Sequence, residues 1–187
     1  MPTLLPLRDY SEKDVIGFYC YSGTLPVSKG SLLKLQGSGF VASQDPTETL
    51  GSPGASYTNT VSQRYGVPFK LSLAGTGDHA IGISLYDVKE TDENGLPLRF
   101  NPRKAYELEA VISGQTLPVA VKGRFLYSGI TGTVVPGQRL YQGVNGLIEA
   151  NINSAQGAGG LPPAVGVGYA LGAKDAQGLC FVQLNLT

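Results

Sequence analysis

Glycine and proline punctuate this chain from end to end, with 26 Gly and 12 Pro making up about a fifth of its 187 residues. Such punctuation suits many short strands joined by turns, and it sets the expectation of a mainly β fold. The hydrophobic share is 42% and the charged share only 15%, which argues against disorder. A chain of 187 residues has room for one good core, or at most two small ones.

The apolar runs read as strands. Val15–Tyr21 is rich in β-branched and aromatic residues, and Ser31–Leu35 follows after Gly23, Pro26 and Gly30. Val67–Leu73 and Ala80–Val88 come next. Leu117–Tyr127 is the clearest strand, alternating throughout except at Gly123, where a bulge is expected. Thr133–Tyr141 reads as strand, turn, strand, continued by Gly146–Ile152, and Ala164–Ala170 and Leu179–Leu186 close the chain. Asp92–Gly95 reads as a turn. One short helix is expected near 102–112, with Asn101 as cap and Pro102 at the first helical position, although the alternation of Tyr106, Leu108, Ala110 and Ile112 also fits a strand.

Two segments stand apart. Residues 1–14 read as an extended N-terminal arm, because Pro2 and Pro6 remove backbone donors and keep it from a sheet centre. Its apolar Leu4, Leu5, Leu7 and Tyr10 either lie on their own domain or grip a neighbouring subunit. Residues 42–63 form a long polar loop inside a single β domain spanning 15–187, and Asn153–Pro163 is a second loop. There is also an internal echo. Val27-x-x-Gly30-x-x-Leu33 matches Val134-x-x-Gly137-x-x-Leu140, and Ile81-Gly82-Ile83 matches Val165-Gly166-Val167, which suggests two similar β-layers of one barrel or sandwich rather than true repeats.

The chemical inventory is sparse. The single histidine, His79, sits in a turn and reads as exposed. Cys20 and Cys180 are far apart in apolar runs, where a free buried thiol and a disulfide both remain open. One His and two distant Cys do not give zinc-ligand spacing, and Asp87, Glu90, Asp92, Glu93 and Asn94 do not fit a calcium loop. No Gly-x-Ser-x-Gly elbow or phosphate cradle occurs. With 14 basic and 14 acidic residues the net charge is zero, which gives no electrostatic reason to expect nucleic acid. No apolar stretch nears the roughly 18 residues that span a bilayer, and the N-terminus lacks a signal-peptide pattern. The expectation is a binding or structural module, not an enzyme, with no cofactor, no metal, no nucleic acid and no membrane partner.

From about Val67 to Leu186 the chain resembles the decoration (cement) proteins of tailed-phage capsids. The resemblance is carried by Ile81-Gly82-Ile83-Ser84-Leu85 and by Pro118–Phe125. It continues through Val134-x-Pro136-Gly137-x-x-Leu140-Tyr141-x-Gly143, Val165–Leu171 and Gly178–Leu186. Asp87–Pro102 is similar to marine and cyanobacterial phage head proteins. The first 66 residues match less well. The resemblance implies a small β-barrel, β-tulip-like or sandwich domain on the outer capsid surface of a virion, made in the host cytoplasm. Its partners would be the major capsid protein and further copies of itself, as a homotrimer or alternatively a dimer. Leu4, Leu5, Leu7 and Tyr10 are the expected capsid or oligomer contacts. A glycan-binding β-module and a tail or baseplate component are the alternatives.

Overall fold

The computed structural model describes residues 4–6, 15–21, 23–36, 69–150 and 166–186. The loops expected at 42–63 and 153–163 lie outside the described residues, as do Leu7 and Tyr10. The described residues are mainly β, with one short α-helix.

Five strands close into a small barrel. They are β2 (Val15–Tyr21), β3 (Leu32–Leu35), β4 (Phe69–Leu73), β5 (Gly82–Ser84) and β8 (Thr116–Ala120), in the order β2-β4-β3-β5-β8. Seven others form a sheet: β1 (Leu4–Pro6), β9 (Lys122–Tyr127), β10 (Ile130–Thr131), β11 (Arg139–Gln142), β12 (Ile148–Glu149), β13 (Gly166–Ala170) and β14 (Cys180–Asn185). Their order is β1-β9-β14-β13-β11-β12-β10. A side excursion holds the parallel pair β6 (Asp87–Val88) and β7 (Ala110–Val111), with helix α1 (Pro102–Glu107) between them.

The barrel wall separates two cores. Leu33, Leu71, Leu117 and Val119 fill the barrel with Tyr21, Val27 and Val88. Leu32, Ile83 and Ala120 face the other way and pack with Phe125, Tyr127, Leu140 and Leu184 of the seven-stranded sheet. Consecutive Leu32 and Leu33 are therefore both fully buried, one on each side of a wall, each contributing about 1.5–3 kcal/mol of burial. A third, small core of Leu98, Ala110 and Ile112 lies under α1.

Specific hydrogen bonds lock the layers together. Tyr127 donates its hydroxyl to the Gly30 carbonyl at 2.8 Å, in a buried bond between residues far apart in the chain. The buried Gln142 accepts from the Ala80 N–H at 3.0 Å and donates its amide to the Gly75 carbonyl, tying β11 to the loop between β4 and β5.

Several sequence expectations change here. The expected strand from Leu117 to Tyr127 serves two sheets, β8 in the barrel and β9 in the large sheet. Its discontinuity falls at Val121 and not at Gly123, because the chain turns there from one sheet to the other. The helix ends at Glu107 rather than near 112. Glu109 takes a positive φ of 46°, and Ala110–Val111 then pairs beside Asp87–Val88. Asn101 makes no side-chain cap; its backbone N–H bonds to the Leu98 carbonyl. Ala80–Val88 splits into β5 and β6, since β6 leaves the barrel to join the excursion. The arm is partly a strand: β1 pairs with β9 at the sheet's end, where Pro6 costs no ladder bond to a further strand.

The internal echo, expected to be similar layers and not a true repeat, is a structural repeat. Ser28–Ser31 and Val135–Gln138 are each β-turns closed by an i to i+3 bond, from Ser31 N–H to Ser28 O at 3.2 Å and from Gln138 N–H to Val135 O at 3.0 Å. Gly30 and Gly137 hold the third turn position at φ 89° and 83°, a conformation that favours glycine. In the barrel, Leu32 pairs with Ile83 and Leu33 with Gly82. In the large sheet, Arg139 pairs with Tyr169 and Leu140 with Gly168. Bonds from Gly30 N–H to Ser84 O (2.8 Å), Ser84 N–H to Ser31 O (2.9 Å) and Leu85 N–H to Pro118 O (3.1 Å) set the first unit. They recur as Gly137 N–H to Ala170 O (2.7 Å), Ala170 N–H to Gln138 O (2.8 Å) and Leu171 N–H to Phe181 O (2.7 Å). The units are thus β3-β5-β8 and β11-β13-β14. Gly82 corresponds to Gly168, not to Gly166, because the β11–β13 register shifts and leaves Val167 as an extra residue.

Candidate binding face

Alternation along the large sheet sends Leu140, Val182 and Leu184 inward and their neighbours outward. Register then assembles the outer face. Arg124 pairs with Gln183, Gln183 with Tyr169, and Tyr169 with Arg139, a single row across four strands. With strands about 4.8 Å apart, the row spans roughly 14 Å. Arg124 and Arg139 are exposed, and Tyr169 is 50% exposed. Beside this row lies the half-buried pair Leu126 and Phe181, with Leu171 next to it at 41% exposure. The next row on the other flank places Gly166, Tyr141 and Glu149 in register.

Arg139 is held in place. Its guanidinium lies 6.0 Å from the Tyr141 ring centroid. Its Nε and Nη2 pass so close to Gly166 that a Cβ there would collide with them. Stacking on one side and a bare backbone on the other order the side chain before any partner arrives. Among the described residues, neither Arg124 nor Arg139 has an acidic group within ion-pair distance.

Both edges of this sheet are blunted against adding strands. At one edge, Gly129 O and Thr131 O bond inward to Ile148 and Ala150 N–H. The alternate carbonyls of Ile130 and Gly132 both accept from Lys174 Nζ, at 2.7 and 2.8 Å. The other edge is three-residue β1 with its proline. The face, not the edge, is what this sheet presents.

The four contact residues expected in the arm fare differently. Leu4 is fully buried in the chain's own core, so its side chain has no surface to offer a neighbour. Leu5 stands in register with Leu126 of β9. Leu7 and Tyr10 lie outside the described residues.

The remaining polar clusters serve the chain itself. An open groove of about 540 Å³ is lined by Lys34, Leu35, Gln36, Ser72, Asp78, His79 and Ile81. There Lys34 pairs with Asp78 at 2.7 Å, and Asp78 also accepts from the Gly75 N–H. Burial alone would raise the Asp78 carboxyl, but the Lys34 ammonium and that N–H outweigh it and hold the group below its ordinary range. His79 is exposed. In the acidic excursion, Asp92 Oδ1 accepts from Asn94 and Leu96 N–H, Glu93 pairs with Lys104 at 2.8 Å, and Glu90 accepts from Ser113 N–H. Among the described residues, no three His, Cys, Asp or Glu stand together to hold a metal ion, and no helix is long and apolar enough to cross a membrane. Cys180 is a free thiol buried in the main core, and burial raises its pKa.

Phe125 and Tyr127, which alternate with Arg124 in sequence, point into the core. Tyr169 and Gln183, which sequence reasoning did not single out, share a row with Arg124 and Arg139. No protein-family model, curated protein or solved structure matches this chain.

Proposed function

We propose that the chain is a structural virion protein that decorates the outer capsid surface and cements neighbouring major capsid subunits. The observation that carries the reading is the outer face of the seven-stranded sheet, where Arg124, Arg139 and Tyr169 are exposed. It is backed by a packed core, blunted at both edges, and lined by arginine, tyrosine and half-buried apolar residues. Such composition suits an interface with another protein. The resemblance over Val67–Leu186 is the ground for taking that protein to be the major capsid protein. A module of this kind binds the assembled lattice because several small contacts act together there, each further one being intramolecular.

The direct experiment mixes the purified chain with isolated capsid subunits and with expanded capsids of the phage that encodes it, followed by sedimentation. Binding to expanded capsids alone is the expected result. Equal binding to both, or to neither, refutes the cementing role.

A glycan-binding module is the second reading, favoured by Tyr141 and Tyr169 standing on the same face as Arg139. Saturable binding on a glycan array, abolished by Tyr169→Ala, would support it.

A further inference from the structure

We propose that the row Arg124–Gln183–Tyr169–Arg139 is a docking site for an acidic protein surface, with Arg139 as its anchor. This deepens the decoration reading and rests on it for the partner's identity, but not for the partner's chemistry.

The repeat supplies the first argument. Residues Arg139, Tyr169 and Gln183 of the second unit occupy the positions of Leu32, Ile83 and Ala120 in the first. In the first unit that row is fully buried, because the large sheet packs on it. The same face of the same three-stranded unit is therefore an occupied interface once within this molecule. In its second occurrence no other described strand packs on it, with Arg139 and Tyr169 exposed and Gln183 half-buried, and its residues have changed from Leu, Ile and Ala to Arg, Tyr and Gln. That is the change expected where a permanent apolar contact is replaced by one that forms and dissolves in water.

Charge supplies the second. Lys122, Arg124 and Arg139 share the face, and among the described residues its acid is Glu149, which lies two strands from Tyr169 with its chain folded over Gly143. Two guanidiniums about 14 Å apart, one already stacked, match carboxylates in a bidentate geometry. The apolar Leu126–Phe181 pair beside them favours a protein over a polyphosphate, which would offer that strip nothing.

Size supplies the third. β9 and β14 are six residues long, about 17 Å of strand, so the face covers on the order of 250 Å². A stable one-to-one complex buries about 800 Å² on each partner. A single docking event is thus weak, and a repeating acidic lattice holds firmly.

The test uses the full chain and a hexaglutamate peptide, followed by backbone amide NMR shifts. Shifts at Arg124, Arg139, Tyr169 and Gln183 are expected, weakened at least about tenfold by roughly 0.5 M salt and by the double change Arg124→Gln with Arg139→Gln. Absent shifts, or shifts centred on Arg103 and Lys104, overturn the proposal. Tighter binding of a heparin hexasaccharide or of oligothymidine on this row overturns the protein-surface assignment. Expanded capsids form the second arm. If the unaltered chain binds them and the double variant binds equally, the docking row is refuted and the decoration reading stands. If the chain ignores capsids while the peptide shifts the row, the decoration reading falls and the acidic-surface site stands.

Discussion

Replacing Tyr127 with Phe removes one oxygen atom and tests how the two layers are joined. The hydroxyl gives a 2.8 Å hydrogen bond to the Gly30 carbonyl, and both residues are buried. The aromatic ring stays, packed against Gly30 so closely that a Cβ on that glycine would lie 2.9 Å from it. Packing should survive, so the cost is the lost bond plus a buried carbonyl without its donor. That comes to about 2 kcal/mol. For a domain of this size it lowers Tm by roughly 4–8 °C. In urea unfolding the midpoint should fall while the slope stays constant. The pH dependence then offers a second check on the same residue. Burial raises the Tyr127 pKa far above its ordinary value of 10.0, so the folded state keeps its proton where the unfolded state loses it. A raised folded pKa means the stability is fully present below pH 10 and drains away as pH climbs, by about 1.4 kcal/mol per unit. The Tyr127→Phe variant would have no such drain. The gap between the two proteins should therefore narrow from about 2 kcal/mol at pH 8 to well under 1 kcal/mol near pH 11. A gap below about 0.5 kcal/mol at pH 8, or one unchanged at pH 11, refutes the role assigned to this bond.

Other changes probe other joints. Gly168→Ala would put a Cβ 2.1 Å from the Gln183 carbonyl oxygen, a backbone atom with little freedom, so about 3 kcal/mol of stability should be lost in urea titration. Its counterpart Gly82→Ala meets the Val119 side chain first, at 2.2 Å, and backbone only at 2.9 Å; it should be tolerated better. Lys174→Ala uncovers the Ile130 and Gly132 carbonyls along the β10 edge and should promote self-association, read by light scattering during concentration; a monomer as soluble as the parent would contradict the capping role. Asp78→Asn should remove part of the acid sensitivity of folding. The depressed carboxyl adds stability that is present above its unfolded pKa near 3.8 and lost as pH falls below it. Identical acid unfolding curves for the two proteins would count against the Lys34 pairing.

Local geometry was legible in the sequence where a few residues demand one backbone conformation. Val15–Tyr21 is a strand over its whole expected length, because β-branched and aromatic residues fit an extended chain wherever they are placed. Pro102 begins the helix because its φ suits the first turn and its missing donor costs nothing there. Gly30 and Gly137 mark the two matching turns because the third turn position favours glycine. The mainly β class follows from the same punctuation. Which strands would meet was not written locally. Period-two alternation is the same on both sides of Val121, so nothing in it shows one strand leaving the barrel and entering the sheet. Leu32 and Leu33 break alternation by both being buried, which only a wall with a core on each side permits. Leu4 looks like a free arm residue until Tyr127 appears opposite it. The binding row draws on residues 124, 139, 169 and 183, and only the register of non-adjacent strands brings them into line. Backbone preference is settled within a few residues, whereas pairing is settled by which apolar faces exclude water together, and that depends on the whole chain at once.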